Sequence, residues 1–160
     1  MVVIGSAAID IAAQASPSSY ADVAVHSTAP GHVKLTLGGV GRNIAEASHR
    51  VMAAKYPELS SVLLAPIGRD AFGHLLVSEL EACKMRTDGL SRTDDRTAVC
   101  NMVLDSNGAL IGGVADMRIT EAFTGDKVGN IYRRNRNLTY FLLDNSTFTK
   151  SYPWNCCLGW

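Results

Sequence analysis

The chain of 160 residues carries 15 Lys and Arg against 15 Asp and Glu, so its formal net charge is zero. A neutral chain gives no global electrostatic reason to bind nucleic acid or a membrane surface, and we expect neither partner. Nothing approaches a membrane-spanning apolar run, no Lys or Arg precedes Lys34, and the four cysteines lack zinc-type spacing. We therefore expect a cytoplasmic protein that holds no metal.

Strand and helix patterns alternate from the start of the chain. The apolar run Val2–Ile4 is typical of a strand buried on both faces, as in a parallel sheet. Residues 14–31 are rich in Ser, Pro and Ala and predict a loop with a short edge strand at 21–25. Period-two alternation over 32–37 predicts a half-exposed strand, and a helical period starts at Asn43. On that helix one face is expected to carry Ile44, Ala47, Ser48, Val51 and Met52.

A second strand, a second helix and a hairpin follow. Residues 61–68 predict another buried strand, and Asp70 stands where it can cap the next helix. Gly89 is expected to end that helix, and Ser106-Asn107-Gly108 is a strong hairpin signal between two strand patterns. The apolar stripe of the helix comprises Phe72, Leu76, Leu80 and Cys83. Strands that alternate with helices predict an α/β fold.

The pattern changes after Phe123. Residues 124–160 hold five Lys or Arg and two Asp or Glu, and they show no sustained period of either kind. We therefore expect one domain over residues 1–123, followed by a divergent segment over 124–160. That segment is either poorly ordered or an alternative C-terminus.

Three glycines stand at the start of the first predicted helix, within Leu37–Val51. They are Gly38, Gly39 and Gly41. No Lys follows Gly41, which excludes a P-loop, and a dinucleotide fingerprint would need glycine where Ile44 stands. Two readings remain, a tight strand-to-helix turn or a small site where a ligand approaches bare backbone.

Two polar side chains favour the second reading. Asp10 comes soon after the first strand, and Asn43 lies close to the helix start, where first-turn N–H groups lack intrahelical partners. A carboxylate can accept from two adjacent hydroxyls while an amide donates and accepts, which suits a polyol or ribosyl ligand. The alternatives are that Asp10 caps a turn and that Asn43 is an N-cap. Arg42 either reaches a phosphate or lies in solvent.

Three motifs resemble the PfkB (ribokinase-like) family of carbohydrate and nucleoside kinases. The first is GGVGRNIA at 38–45, the second is GRDAFG at 68–73, and the third is Thr97-Ala98 before the hairpin centred on Gly108. The first motif, together with VADM at 114–117, is most similar to the pseudouridine kinase branch. The resemblance covers residues 2–123.

The resemblance implies a partial, truncated ribokinase-like fold, with a mostly parallel central sheet, flanking helices and a small β lid within about 12–37. The substrate would be pseudouridine or a related ribosyl compound, whose primary hydroxyl the intact domain phosphorylates with ATP and magnesium. A homodimer through the lid and a glycosidase domain fused to the full-length parent are also implied. The substrate-binding residues that it implies are Asp10, Gly38, Gly39, Gly41, Asn43 and Thr97.

Motifs that carry catalysis in this family are missing from the chain. The resemblance implies a G-A-G-D segment for the base and anion hole and an N-x-x-E segment for magnesium. The first string does not occur, and the second occurs only at Asn43–Glu46, in the wrong place. By family the chain is a phosphotransferase, but we expect a substrate-binding half that is inactive alone and binds neither ATP nor magnesium tightly. The alternative is a non-catalytic ribosyl-binding or interaction fragment.

Overall fold

The computed structural model describes residues 1–16 and 28–134, and for 132–134 it describes the backbone alone. The predicted edge strand at 21–25 and residues 135–160 lie outside the described residues. Within the described ranges the strands are β1 (Val2–Ile4), β2 (Ala8–Ala15), β3 (Gly31–Gly38), β4 (Val62–Gly68), β5 (Leu90–Thr93), β6 (Ala98–Leu104) and β7 (Leu110–Asp116). The helices there are α1 (Val40–Lys55), α2 (Ala71–Ala82), α3 (Arg118–Glu121) and α4 (Gly125–Arg134).

The strands form two sheets. The first, here called the central sheet, has the order β1-β4-β5 and is parallel throughout. The second, here called the lid sheet, has the order β3-β2-β6-β7, in which only the β2–β6 pair is parallel. The alternation of strands and helices thus confirms the predicted α/β class. The hairpin β6–β7 adds two strands to the lid sheet. The sheet is therefore larger than the lid predicted within about 12–37.

Strand β4 lies at the centre of the hydrophobic core. All seven of its residues are buried, and alternate side chains point to opposite faces of the central sheet. On one face Leu63 and Ile67 share a cluster with Ala45 of α1 and Leu76 of α2. On the other face Val62 and Leu64 are covered by Val128 and Ile131 of α4. The described chain is therefore layered as helix, sheet and helix.

Several predicted elements are confirmed in detail. Helix α2 buries Leu76 and Leu80, with the partly buried Phe72 and Cys83 beside them in the core. In the hairpin, Gly108 has a φ of 85°. The side chain of Asp105 accepts from two backbone N–H groups of that turn, at 2.8 and 2.7 Å. Such an Asx-type turn is what the Ser-Asn-Gly sequence favours.

Some predicted boundaries are wrong. Asp10 does not follow a strand end but lies inside β2, which the sequence pattern did not predict. Strand β1 is not buried on both faces, because Ile4 is 42% exposed. Helix α2 ends at Ala82, well before Gly89, and Lys84 takes the positive φ of 59° there. Short alternating stretches such as β2 and β5 are weak local signals, and pairing with neighbouring strands decides them.

Helix α1 buries a different face from the predicted one. Its buried residues are Gly41 and Ala45, whereas Ile44 and Val51 are 48% and 56% exposed. Small residues prevail at the contact because α1 approaches the β1–β2 turn closely. An apolar stripe of α1 therefore remains exposed in the described chain. No helix among the described residues has the length and apolar character needed to cross a bilayer.

The two faces of α1 should respond differently to substitution. Ala45→Leu adds volume to a fully buried position and should lower the free energy of unfolding by about 1–3 kcal/mol. Ile44→Lys replaces a half-exposed side chain and should change the free energy of unfolding by less than about 0.5 kcal/mol. Urea denaturation of the two variants measures the difference. A larger loss for Ile44→Lys than for Ala45→Leu would contradict the assignment of faces.

Candidate functional site

Two of the three glycines hold backbone against backbone where α1 begins. Gly39 is the N-cap with a φ of 93°, and a Cβ atom there would lie 2.5 Å from the carbonyl oxygen of Ser6. A Cβ atom on Gly41 would lie 2.7 Å from the Cα atom of Gly5. The backbone N–H of Arg42 donates to the Ser6 carbonyl at 3.0 Å. These two glycines therefore serve the tight packing of α1 on the turn between β1 and β2.

The third glycine makes room for a carboxylate. Gly38 ends β3 opposite Ala8, and a Cβ atom on it would overlap the carboxyl group of Asp10. Asp10 lies in the middle of β2, between Thr36 of β3 and Cys100 of β6. It does not cap a turn. Its carboxylate thus occupies the space that the absent side chain of Gly38 leaves.

The side chain of Arg42 packs against the protein, and its positive charge acts on the Asp10 carboxylate. Its side chain is 13% exposed, and its Nη1 atom donates to Glu46. Its Nη2 atom donates to the carbonyl of Leu37 at 3.0 Å and to Oδ1 of Asn43. Its Nε atom is buried without a partner among the described residues. Arg42 therefore joins the end of β3 to the first turns of α1.

The pKa of Asp10 is shifted by this environment. Burial raises its pKa, and the positive charge of Arg42 opposes the rise without cancelling it. A partly desolvated carboxylate is a stronger hydrogen-bond acceptor toward a ligand than a fully hydrated one. The ionised form of Asp10 is therefore less stable at this site than it would be in water.

Asn43 is the fourth residue of α1 and is exposed. The N-cap alternative is wrong, because Gly39 occupies that position and the backbone N–H of Asn43 donates to the Gly39 carbonyl at 3.0 Å. Arg42 donates to Oδ1 of Asn43, and its charge acts on Asp10, whose carboxyl group lies against Gly38, so we call these four residues the corner. A ligand shared by Asp10 and Asn43 stays a prediction. The backbone N–H groups of Arg42 and Asn43 both donate within the protein, to the carbonyls of Ser6 and Gly39.

Thr97 belongs to a separate polar cluster. Its hydroxyl donates to Asp70 at 2.6 Å and accepts from the backbone N–H of Gly68 at 2.9 Å. Asp70 also accepts from the backbone N–H groups of Gly73 and Thr97, both at 2.8 Å. Burial opposes ionisation of Asp70, but these hydrogen bonds outweigh it and lower its pKa. The second motif is thus structural, and a ligand contact by Thr97 stays a prediction.

The sequence left Arg42 undecided between a phosphate and solvent, and it missed the contacts that Arg42 makes. One signal was present, because Arg42, Glu46 and Arg50 follow each other at intervals of four. The structure joins them, with Arg50 donating to Glu46 at 2.6 Å. The contacts with Leu37 and Asn43 have no such periodic signal.

The described residues do not by themselves offer a magnesium site. Among them no group of three His, Cys, Asp or Glu side chains is placed to hold a metal ion. Asp10 and Glu46 are the carboxylates nearest the corner. Glu46 already accepts hydrogen bonds from two arginines. The chemistry of Asp10 and Asn43 suits hydroxyl groups as hydrogen-bond partners.

Comparisons with known proteins show the family of this chain. Residues 1–122 match the model of a protein family described as "pfkB family carbohydrate kinase". The chain is 33% identical to the pseudouridine kinase of Escherichia coli over 128 residues, which are 79% of the chain and 37% of that protein. It is 28% identical to the pseudouridine kinase of Arabidopsis thaliana, covering 76% of the chain and 29% of that protein. The chain therefore spans about a third of the length of these relatives.

Solved structures share the fold. A Clostridium perfringens protein, provisionally assigned as a sugar kinase, superposes with a TM-score of 0.67 and 27% identity, over 85% of this chain and 39% of that one. A carbohydrate kinase from Agrobacterium tumefaciens superposes with a TM-score of 0.62 and 24% identity, over 79% of this chain and 38% of that one. The similarity confirms a ribokinase-like architecture, of which this chain spans the part described above.

Removal of the Asp70 carboxylate should destabilise the fold. Asp70→Ala removes the N-cap of α2 and leaves the buried Thr97 hydroxyl without its acceptor, at a cost of about 1–3 kcal/mol in the free energy of unfolding. Asp94→Ala, at an exposed carboxylate, is the matched control and should cost less than about 0.5 kcal/mol. Equal effects of the two substitutions in chemical denaturation would contradict this role.

The stability contribution of Asp10 should depend on pH with a defined sign. Because its pKa is raised above 3.8 in the folded state, folding binds a proton, and stability falls as pH rises from about that value through the raised pKa. Asp10→Asn removes the loss, so the variant should melt above the wild type at neutral pH. The melting difference should shrink as the pH falls below 3.8. A difference that is independent of pH, or of opposite sign, would refute it.

Proposed function

We propose, on the premise that the chain belongs to the pfkB family of carbohydrate kinases, that it binds the substrate of such a kinase. Its ligand in this proposal is a ribosyl compound, pseudouridine in the first place. The observation that carries the proposal is the Asp10 carboxylate over Gly38, near the charge of Arg42, whose side chain donates to Asn43. The two pseudouridine kinases among its relatives support the choice of ligand.

The chemistry of the corner suits neighbouring hydroxyl groups. An ionised carboxylate only accepts, so Asp10 can take hydrogen bonds from two adjacent hydroxyls of a ribose ring. Each such charge-assisted bond contributes roughly 1.5–3 kcal/mol. The amide of Asn43 can donate to a ligand oxygen. A ribosyl group offers both kinds of partner.

In this proposal the chain binds substrate without phosphorylating it. Phosphoryl transfer depends on positioning and on stabilisation of charge at the transferred group. The G-A-G-D segment implied by the family resemblance is absent from the sequence. Transfer from ATP with magnesium therefore belongs to the intact family domain, and we propose that this chain alone binds ATP weakly or not at all.

We further propose that two copies associate through the exposed part of one face of the lid sheet. Val33 and Leu35 of β3 and Val114 of β7 share one face and are 66%, 47% and 76% exposed. Asp10 lies on the opposite face of that sheet. Contact between two lids would bury this apolar surface and leave the face of Asp10 free. A cytoplasmic location and a fused glycosidase domain stay predictions.

Binding by this chain can be separated from catalysis by calorimetry and a phosphorylation assay. We expect measurable binding of pseudouridine, weakened at least about tenfold by Asp10→Ala, since a charge-assisted bond is lost. Asp94→Ala should leave affinity unchanged. No phosphorylated nucleoside should form with ATP and magnesium. Equal affinity of Asp10→Ala and wild type would reject the site, and turnover by the isolated chain would reject its inactivity.

A further inference from the structure

We propose that Arg42 is a positioning residue that fixes the side-chain amide of Asn43, so that its NH2 group faces the ligand. The inference rests on the proposed function, because it says which group of the same corner donates a hydrogen bond to the ligand. Asp10 then supplies the acceptor and Asn43 the donor. A ligand must present a hydroxyl that donates to Asp10 and an oxygen that accepts from Asn43.

The contacts of Arg42 carry this assignment. Its Nη2 atom donates both to the carbonyl of Leu37 and to Oδ1 of Asn43. The amide oxygen of Asn43 is thus bound to a cation on the protein side. Because an amide has its oxygen and its NH2 group on opposite sides of one carbon, a held oxygen directs the NH2 group away from Arg42. Two partners of one guanidinium nitrogen give this orientation.

Glu46 keeps the guanidinium in place. It is 19% exposed and accepts from Arg42 on one side and from Arg50 on the other. Burial works against ionisation of Glu46, but the hydrogen bond from Arg50 and the two arginine charges hold its pKa below the usual range. An ionised Glu46 therefore anchors Arg42 over one turn of α1. Arg50 contributes to the same carboxylate but is 67% exposed, which makes it a matched control.

A simpler role would be that Arg42 acts only as a positive charge beside Asp10. Lysine distinguishes the two roles, because it keeps the charge but lacks the planar fork that can hold several acceptors at once. If charge alone matters, Arg42→Lys should behave like the wild type. If Arg42 positions Asn43, Arg42→Lys should resemble Arg42→Gln.

Nuclear magnetic resonance of the full chain without ligand tests the positioning directly. The side-chain NH2 signal of Asn43, assigned by its loss in Asn43→Asp, should show the heteronuclear NOE of an ordered group. We expect Arg42→Gln and Arg42→Lys to lower that NOE to the level of the exposed Asn107 side chain. Arg50→Gln should leave it unchanged. Should Arg42→Gln fail to fold, Glu46→Gln and Arg42→Lys give the same reading.

The ligand arm uses pseudouridine and calorimetry. Arg42→Gln and Arg42→Lys should each weaken binding about tenfold, and Arg50→Gln less than about twofold. The inference is overturned if the Asn43 side chain is as ordered in Arg42→Gln and Arg42→Lys as it is in the wild type. It is also overturned if Arg42→Lys binds pseudouridine with wild-type affinity. If the wild type binds no ribosyl compound, the proposed function fails, whereas the NOE of Asn43 still decides whether Arg42 positions it.

Discussion

The close contact of bare backbone between the start of α1 and the β1–β2 turn is the constraint on which the site depends. Gly39 and Gly41 approach Ser6 and Gly5 so closely that a side chain on either glycine would collide with backbone. Backbone cannot move aside as a flexible side chain can, so this contact fixes where α1 begins relative to the lid sheet. The positions of Asp10 and Asn43 follow from it, because one lies on β2 and the other on α1.

The same corner brings a cost that binding can offset. Burial disfavours the ionised carboxylate of Asp10, and Arg42 compensates only in part. A group of this kind is retained where it has a use other than stability. The Asp70 cluster shows the opposite case, since its hydrogen bonds favour the ionised carboxylate, and those from Thr97 fasten the start of α2 to the start of β6. Of the two aspartates, Asp70 thus has a structural role, and Asp10 is the one that we propose binds ligand.

The chain spans between 29% and 37% of the length of its curated relatives. Its central sheet ends at β1 among the described strands, and Ile4 and the outer stripe of α1 are exposed. Apolar surface of this kind is uncommon on a complete monomer and is buried where a partner covers it. The four residues of the corner lie on β2, β3 and α1, with β6 paired to β2 beside Asp10.

The sequence by itself determined the α/β class, α2 with its Asp70 cap, the hairpin at Gly108 and the family. These depend on local periods, caps and turn residues, which neighbouring side chains reinforce. Only the tertiary structure decided that Asp10 lies inside β2, that α1 buries Gly41 and Ala45, that α4 covers the second face of β4, and that Arg42 binds Asn43. Each of these results from contacts between distant segments or from side-chain geometry, neither of which leaves a periodic pattern in the chain.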